Sequence, residues 1–193
     1  MTVGDLVYRC INADRWESGD AWAHLPRRTA PFPIGRWNDH WQFALYTSHE
    51  ADTATAEKRR HLMALPVPTT VAGSLVAAST RRATGSMRVV VVSFDVPASH
   101  LPAFDVRGLG ATRIAACLER CIYSEARKVF YWKVRIDGFV RLVSPSSPRP
   151  GTLNSVLYCG GWRQPDLAVL PTRGEVRPDP SIWIGPEAGV PCP

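Results

Sequence analysis

Four polar side chains in the first third of the sequence are of types that carry chemistry: Arg9, Arg36, Tyr46 and Glu57. Two arginines that converge from different elements can bind phosphate groups through bidentate, charge-assisted hydrogen bonds. A tyrosine ring offers its face to a cationic group, and a carboxylate stabilises positive charge that develops in a transition state. These types mark the four residues as candidates for a functional site, and the substrate of such a site does not follow from residue type and spacing alone.

Ordinary structural explanations also exist for these residues. Arg9 fits a charge on an edge strand, and Tyr46 fits a core aromatic residue with a hydrogen-bonded hydroxyl. Glu57 fits the acidic partner of Arg60 or His61 on a helix surface. Residue type and spacing alone leave both explanations open.

The elements that must position these side chains begin with a strand at Leu6–Ile11, which consists of β-formers and carries Arg9. Asn12–Pro33 is polar and proline-rich, which predicts a long loop, and long ordered loops are often functional. The Gly35–Asn38 turn follows, and Gln42–Tyr46 predicts a buried strand.

The helix that carries Glu57 has sequence signals at both ends. Thr47 with Glu50 three residues later predicts a capping box at its start. Pro66 stops the helix, so its last turn is expected near Ala64.

The rest of the sequence predicts strands and helices in irregular alternation. Helices are predicted at Thr69–Arg82 and after Gly110, where Ile114, Ala115, Leu118, Cys121 and Ile122 have helical spacing. Strands are predicted at Met87–Val96, Val129–Ile136, Phe139–Val143 and Asn154–Tyr158, with Asp137–Gly138 as a turn between the second and third. Because the regular βαβ rhythm is absent, the expected fold class is α+β, that is, mixed α/β.

The composition changes near the C-terminus. From Pro165 onward prolines recur at short intervals, which predicts no regular element of any length and a tail that wraps the domain or stays mobile. We therefore expect one domain over residues 1–160 and a proline-rich extension over residues 161–193.

The overall composition is that of an ordinary globular domain. Of the 193 residues, 45% are hydrophobic and 21% are charged, which excludes a disordered, collagen-like or coiled-coil chain. No apolar stretch is long enough to span a bilayer, and the N-terminus lacks the pattern of a signal peptide. We expect a cytoplasmic protein without membrane association, whose five irregularly spaced cysteines are buried or free thiols.

Several common functional sites are not supported by the sequence. The net charge of +6 invites a nucleic-acid interpretation, but the basic residues are dispersed and match no recognisable DNA- or RNA-binding motif, so a solvated basic surface is preferred. Gly108 and Gly110 do not begin a dinucleotide-binding loop, because Arg113 stands at the third glycine position. The sequence contains no G-x-S-x-G elbow, and its five histidines have no metal-ligand spacing, so no metal is expected.

Two segments resemble the RES-domain family, which is named after an Arg, a Glu and a Ser. The first, GRWNDHWQFALYTSHEADTATAEKRRHL, is similar to the family's Gly-Gly-Arg-Trp-Asn turn, with Ile34 in place of the first glycine, its strand ending in Tyr, and its helix with a Glu eleven residues later. Arg36, Tyr46 and Glu57 fall in this register, and the early YRC matches the strand that carries Arg9. The second, DGFVRLVSPSSPRPGTLNSVLY, is similar to the family's closing strand and Pro-Ser loop, in which Ser146 takes the serine position.

The resemblance implies a fold like that of ADP-ribosyltransferases, with a β-sheet core flanked by helices. It also implies a toxin of a toxin–antitoxin module that degrades NAD+ by cleaving the nicotinamide–ribose bond through hydrolysis or phosphorolysis. NAD+ would be the substrate and no cofactor would be needed. The implied partner is an antitoxin with a helix-turn-helix DNA-binding domain. ADP-ribosyl transfer to a protein and, from another class, a basic nucleic-acid-binding module are the alternatives.

The same resemblance implies a role for each site residue. Arg9 and Arg36 would anchor the pyrophosphate, and Tyr46 would face the nicotinamide ring. Glu57 would stabilise the oxocarbenium-like sugar. The implied substrate-binding residues are Arg9, Arg36, Asn38, Tyr46 and Ser146, and the implied catalytic residues are Arg36, Tyr46 and Glu57. Ser144 and Ser147 compete with Ser146 for the serine position.

Overall fold

The computed structural model describes residues 6–17, 35–40, 42–63, 85–96, 100, 102–119, 123–159 and 172–184. Within them a seven-stranded sheet is flanked by helices, which confirms the predicted mixed α/β class. The strands are β1 (Leu6–Asn12), β2 (Phe43–Ser48), β3 (Gly85–Asp95), β4 (Phe104–Asp105), β5 (Arg141–Pro145), β6 (Leu153–Cys159) and β7 (Thr172–Ile184). The helices are α1 (Ala13–Glu17), α2 (Ala51–Met63), α3 (Ala111–Leu118) and α4 (Ser124–Val129), with a 3-10 turn at Val106–Gly108 and a π-helix at Phe130–Ile136. Among the helices of this part of the chain, none has the length and apolar character needed to cross a membrane.

The sheet has the strand order β4-β5-β6-β2-β1-β3-β7, and only β4 and β5 run parallel. β1 pairs with β3 along its whole length, and β2 does the same with β6. In contrast, β1 and β2 are joined through a single residue pair, Tyr8 with Ser48. The sheet therefore consists of two halves, β4-β5-β6-β2 and β1-β3-β7. Between β1 and β2 the halves are joined through this one residue pair, and the rest of the two strands is separated.

The half built on β1 and β3 is buried on both faces. Val89 and Val91 pack with Ala54 of α2 on one face, and Val90 and Val92 pack with Ala13 of α1 on the other. A strand covered on both faces reads as a continuous apolar run, which explains the four consecutive valines.

The prediction of a strand at Val129–Ile136 is wrong, because these residues end α4 and form the π-helix. Val129, Phe130 and Val134 are buried in the core, whereas Tyr131 and Trp132 are more than half exposed. This spacing of three to four residues buries one side of a helix. Packing against the sheet therefore overrides the strand preference of aromatic and β-branched residues.

Several predicted boundaries also differ. Thr47 lies inside β2 and donates its hydroxyl to the Ser155 carbonyl at 2.9 Å, so it does not cap α2, which begins at Ala51. Helix α1 occupies the start of the predicted loop. Helix α3 ends at Leu118 because the backbone of Glu119 is extended. The helix predicted at Thr69–Arg82 and the last residues predicted for α3 lie outside the described part of the chain.

The prediction that the proline-rich C-terminal segment forms no regular element is wrong for Thr172–Ile184. This segment is β7, an antiparallel edge strand on β3 with two irregularities in its register. Pro178 and Pro180 are tolerated because an edge strand leaves one row of backbone groups without a partner strand. The division of the chain at residue 160 stays a prediction.

Candidate active site

The Gly35–Asn38 turn is closed by side-chain hydrogen bonds. The Gly35 amide donates to Asn38 Oδ1 at 3.0 Å, and the two residues form a β-bridge. The Trp37 amide donates to the Tyr46 hydroxyl at 2.8 Å, and that hydroxyl donates to Asn38 Oδ1 at 2.8 Å. Tyr46 therefore joins β2 to the turn that carries Arg36.

Two buried side chains anchor this turn in the core. Asn38 is 1% exposed, and the Trp37 side chain is 2% exposed. The Trp37 carbonyl accepts a hydrogen bond from the Tyr158 hydroxyl at 2.7 Å. Arg36 is thus held on a backbone that is fixed on both sides of it.

Arg36 lies beside an aromatic side chain, and one of its hydrogen-bond donors has no acceptor among the described residues. Its guanidinium stands over the ring of Tyr123, 5.5 Å from the centroid. Among the residues that the structure describes, its buried Nε has no hydrogen-bond acceptor. A buried donor of this kind is unusual and is typical of functional sites.

Tyr46 stays a neutral phenol. Burial raises its pKa far above the ordinary value, while the hydrogen bond from Trp37 and the positive charges of Arg36 and Arg127 act in the opposite direction. A neutral phenol can both accept from Trp37 and donate to Asn38. The family resemblance implies contact between the Tyr46 ring and the substrate, and the structure adds a supporting role for the Tyr46 hydroxyl.

We expect Tyr46→Phe to lower the free energy of unfolding by about 1–3 kcal/mol, because the Trp37 amide and Asn38 Oδ1 each lose a partner. Tyr131→Phe is the matched control, since Tyr131 is 51% exposed. Urea denaturation of both variants measures the effect. Equal stability of the two variants would show that the hydroxyl does not support the turn.

Arg9 lies where the two halves of the sheet separate. Its Nη1 donates to the Tyr46 carbonyl at 2.8 Å, at a point where β1 and β2 no longer pair through their backbones. Burial, Lys58 and Arg9 together lower the pKa of His61 on α2. The positive charge of Arg9 therefore acts on His61 of α2, the helix that also carries Glu57.

Glu57 is half-buried and is held by two donors from different elements. Its Oε1 accepts from the Ser146 hydroxyl at 2.9 Å and from the Asn154 amide at 2.6 Å. Within the described part of the chain, Oε2 accepts no hydrogen bond. One oxygen is thus fixed to the protein, and the other is available to a ligand.

Ser146 is the serine that contacts Glu57; Ser144 and Ser147 make no such contact in the described residues. Its amide donates to the Thr152 carbonyl at 2.9 Å, and its hydroxyl oxygen accepts from the Arg149 amide at 3.3 Å. Ser146 is 3% exposed, so the loop between β5 and β6 holds it in place.

Strand β2 connects the Glu57 group to the Arg36 turn. Tyr46 and Ser48 are two residues apart in β2, so they face the same side of the sheet. Ser48 donates to Asn154 Oδ1 at 2.8 Å, and Asn154 lies opposite it on β6. Tyr46, Ser48 and Asn154 therefore lie on one face of the sheet, and Ser48 lies beside the separation between β1 and β2.

The sequence of this chain also matches a known protein family. The family model of the RES domain matches residues 6–177. The chain belongs to the RES domain family. The match covers both segments on which the resemblance rests, and the predicted membership is therefore confirmed.

This RES domain is similar to a chain in the crystal structure of the M. tuberculosis MbcT–MbcA toxin–antitoxin complex, with 15% sequence identity and a TM-score of 0.49. The similarity covers 89% of this chain and 82% of that chain. No curated protein matches the chain.

The structure of this RES domain brings the predicted residues into two hydrogen-bonded groups. Arg9, Tyr46 and Asn38 form one group, next to Arg36 in the turn. Glu57 and Ser146 belong to the other. Their roles toward a substrate stay predictions.

Sequence reasoning missed Asn154, Ser48 and Tyr123 as parts of the site. The sequence places Asn154 at the start of a predicted strand and in the closing segment that resembles the RES-domain family, without a role in the site. An asparagine is disfavoured in a buried strand, and this fact and its place in the family segment are the available signals. Tyr123 and Ser48 carry no local signal, because their importance depends on contacts with distant residues.

A further buried polar cluster lies on the other face of the RES domain's sheet. Arg141 is 1% exposed, and its Nε and Nη2 donate to the Ser155 hydroxyl at 3.1 and 3.0 Å. The same hydroxyl lies 2.7 Å from His49 Nε2. Because Ser155 follows Asn154 in β6, its side chain faces away from Glu57.

Proposed function

We propose that this RES domain cleaves the bond between nicotinamide and ribose in NAD+. The observation that carries the proposal is the Glu57 carboxylate, with one oxygen held by Ser146 and Asn154 and the other without a hydrogen bond in the described residues. A carboxylate that is oriented before the substrate binds needs no reorganisation when positive charge develops.

The cationic residues support a dinucleotide substrate. Arg9 and Arg36 approach the same segment of β2, one through the Tyr46 carbonyl and the other through the turn bonded to the Tyr46 hydroxyl. The pyrophosphate of NAD+ carries two negative charges, and guanidinium groups bind phosphate oxygens in a bidentate manner. We assign the pyrophosphate to these two arginines.

The reaction needs only one carboxylate. As the glycosidic C–N bond breaks, its electron pair passes to the nicotinamide nitrogen, which leaves as a neutral ring. The sugar becomes oxocarbenium-like, as in glycoside hydrolysis, and Glu57 stabilises this charge. Attack by water at the sugar carbon gives ADP-ribose and releases a proton, whereas attack by phosphate gives ADP-ribose phosphate.

The biological role that we propose is that of a toxin neutralised by an antitoxin. The RES-family resemblance implies this role, and it implies a partner with a helix-turn-helix DNA-binding domain. Loss of NAD+ would arrest cell growth, which accounts for a requirement for neutralisation.

The test is an NAD+ turnover assay on the purified chain, with label in the adenylate part and with and without phosphate in the buffer. We expect release of nicotinamide together with free labelled ADP-ribose or its phosphate. Label retained on protein would instead identify an ADP-ribosyltransferase. Absence of nicotinamide release, together with salt-sensitive binding to nucleic acid, would contradict the proposal.

A further inference from the structure

We infer that Asn154 is a positioning residue that directs the Glu57 carboxylate toward the substrate, an inference that rests on the proposed function. The Asn154 amide nitrogen donates to Glu57 Oε1 at 2.6 Å, and its Oδ1 accepts from the Ser48 hydroxyl at 2.8 Å. Both ends of the amide are therefore engaged, one by the residue to be positioned and one by the sheet.

The Glu57 carboxylate selects the orientation of the Asn154 amide because it can only accept a hydrogen bond, and the Ser48 hydroxyl, which can donate or accept, holds the other end of the amide. If the amide were reversed, its oxygen would face the Glu57 carboxylate and its NH2 group would face the Ser48 hydroxyl. Two acceptors would then meet at 2.6 Å without a proton between them. Ser48 is 2% exposed in a central strand, so its hydroxyl is a rigid reference point.

The placement of α2 itself does not depend on Asn154. Thr53, one turn before Glu57, donates to the Thr152 hydroxyl at 3.0 Å, and Thr152 donates to the Arg149 carbonyl at 2.8 Å. These two hydrogen bonds attach α2 to the loop between β5 and β6. Loss of Asn154 is therefore expected to release the Glu57 side chain while the helix stays in place.

Ser146 and Asn154 differ as donors to Glu57. The Ser146 hydroxyl is held from the loop between β5 and β6, where it accepts from the Arg149 amide, whereas the planar Asn154 amide is held within the sheet by Ser48 of β2. We therefore assign the direction of the carboxylate mainly to Asn154. Preorganisation of this kind affects the chemical step more than substrate binding.

The test compares Asn154→Ala with Asn154→Asp in the NAD+ turnover assay. At neutral pH we expect both variants to lower kcat by about 10- to 100-fold, as for other residues that orient a functional side chain, with little change in KM. The isosteric variant, Asn154→Asp, has no hydrogen-bond donor at this position at neutral pH and places a second carboxylate against Glu57.

The pH dependence separates positioning from a merely structural role. At lower pH the carboxyl group introduced by Asn154→Asp takes up a proton and can donate it to Glu57 Oε1, in the place of the amide. The activity of this variant relative to the wild type is therefore expected to rise as pH falls, whereas the relative activity of Asn154→Ala stays constant. Among the described side chains, the charged or titratable groups around Glu57 include Asp52, Lys58, Arg59, Arg60 and His61 on α2, and Tyr8, Arg9, Tyr46 and Arg149 on neighbouring elements. These groups are common to all three proteins, so their titration cancels in the ratio.

Controls distinguish the possible failures. Asn12→Asp, at the exposed end of β1, is the matched control and should leave kcat unchanged. Ser48→Ala keeps Asn154 but frees its amide, so it should lower kcat less than Asn154→Ala, again with KM unchanged. It also tests the inference if the Asn154 variants do not fold.

A wild-type chain without NAD+ turnover would overturn the proposed function. Turnover that is insensitive to Asn154→Ala or to Ser48→Ala would overturn this inference alone.

Discussion

Glu57→Gln is expected to lower kcat for nicotinamide release by about 10²- to 10³-fold, the usual effect of removing a preorganised electrostatic group. The glutamine side chain has the same shape, and its carbonyl oxygen can still accept from Ser146 and Asn154. The folded structure should therefore persist while the negative charge facing the sugar is lost. Steady-state kinetics with NAD+ measure the effect, and KM is expected to change much less than kcat.

The matched control is Glu17→Gln, which removes the same charge from α1. Glu17 pairs with Arg88 at the protein surface, and both side chains are at least half exposed. Such a pair contributes little to stability, so this variant should keep both its activity and its thermal unfolding midpoint. If Glu57→Gln retained wild-type kcat, Glu57 would not be the catalytic carboxylate.

Gly35→Ala is expected to destabilise the protein by about 1–3 kcal/mol, the usual range for overpacking a well-packed site. The backbone of Gly35 does not have a positive φ, so the requirement for glycine is one of space. An added Cβ would lie 2.7 Å from both Tyr46 Cζ and Asn38 Oδ1. Neither atom can move without breaking the hydrogen bonds that close the turn.

The same substitution is expected to reduce NAD+ turnover, because Arg36 is the next residue in the turn. A displacement of the turn costing about 1.4 kcal/mol in substrate binding would raise KM about tenfold. Gly110→Ala is the matched control, since an added Cβ there meets no atom within 4 Å. Thermal unfolding and NAD+ kinetics on both variants test this expectation, and equal behaviour would mean that the turn tolerates a side chain.

The roles of Gly35, Tyr46 and Asn154 suggest how the proposed active site is organised. Two of the residues that would touch the substrate, Arg36 and Glu57, are each supported by a hydrogen-bonded neighbour: Tyr46 joins the Arg36 turn to β2, and Asn154 joins Glu57 to Ser48. Long side chains lose much conformational freedom when they are ordered. Holding them before the substrate arrives removes that loss from the binding and chemical steps.

Part of the fold can be predicted from local sequence. The strands β1, β2, β3 and β6 were predicted within a few residues, because runs of β-branched and aromatic residues favour strands that are buried on one or both faces. The helix after β2 was also predicted, although its capping residue was not.

Other parts depended on contacts between distant residues. The segment Val129–Ile136 has strand-forming residues, yet it is helical because its buried side chains must face one side of the sheet. Thr172–Ile184 is rich in prolines, yet it pairs with β3 because an edge strand needs only part of its backbone donors. Local propensity is a weak predictor of secondary structure where packing against a sheet or pairing with another strand decides it.

For the candidate site, the residue types and the family follow from the sequence alone, since Arg9, Arg36, Tyr46, Glu57 and Ser146 stand in the family's register. The tertiary structure decided which of these residues contact one another. It selected Ser146 over its neighbouring serines and joined Glu57 to a strand almost a hundred residues away, through an asparagine with no assigned role. The physical reason is that hydrogen bonds form between groups that the sheet register brings within about 3 Å, and this register follows from burial of the whole sheet rather than from any local pattern.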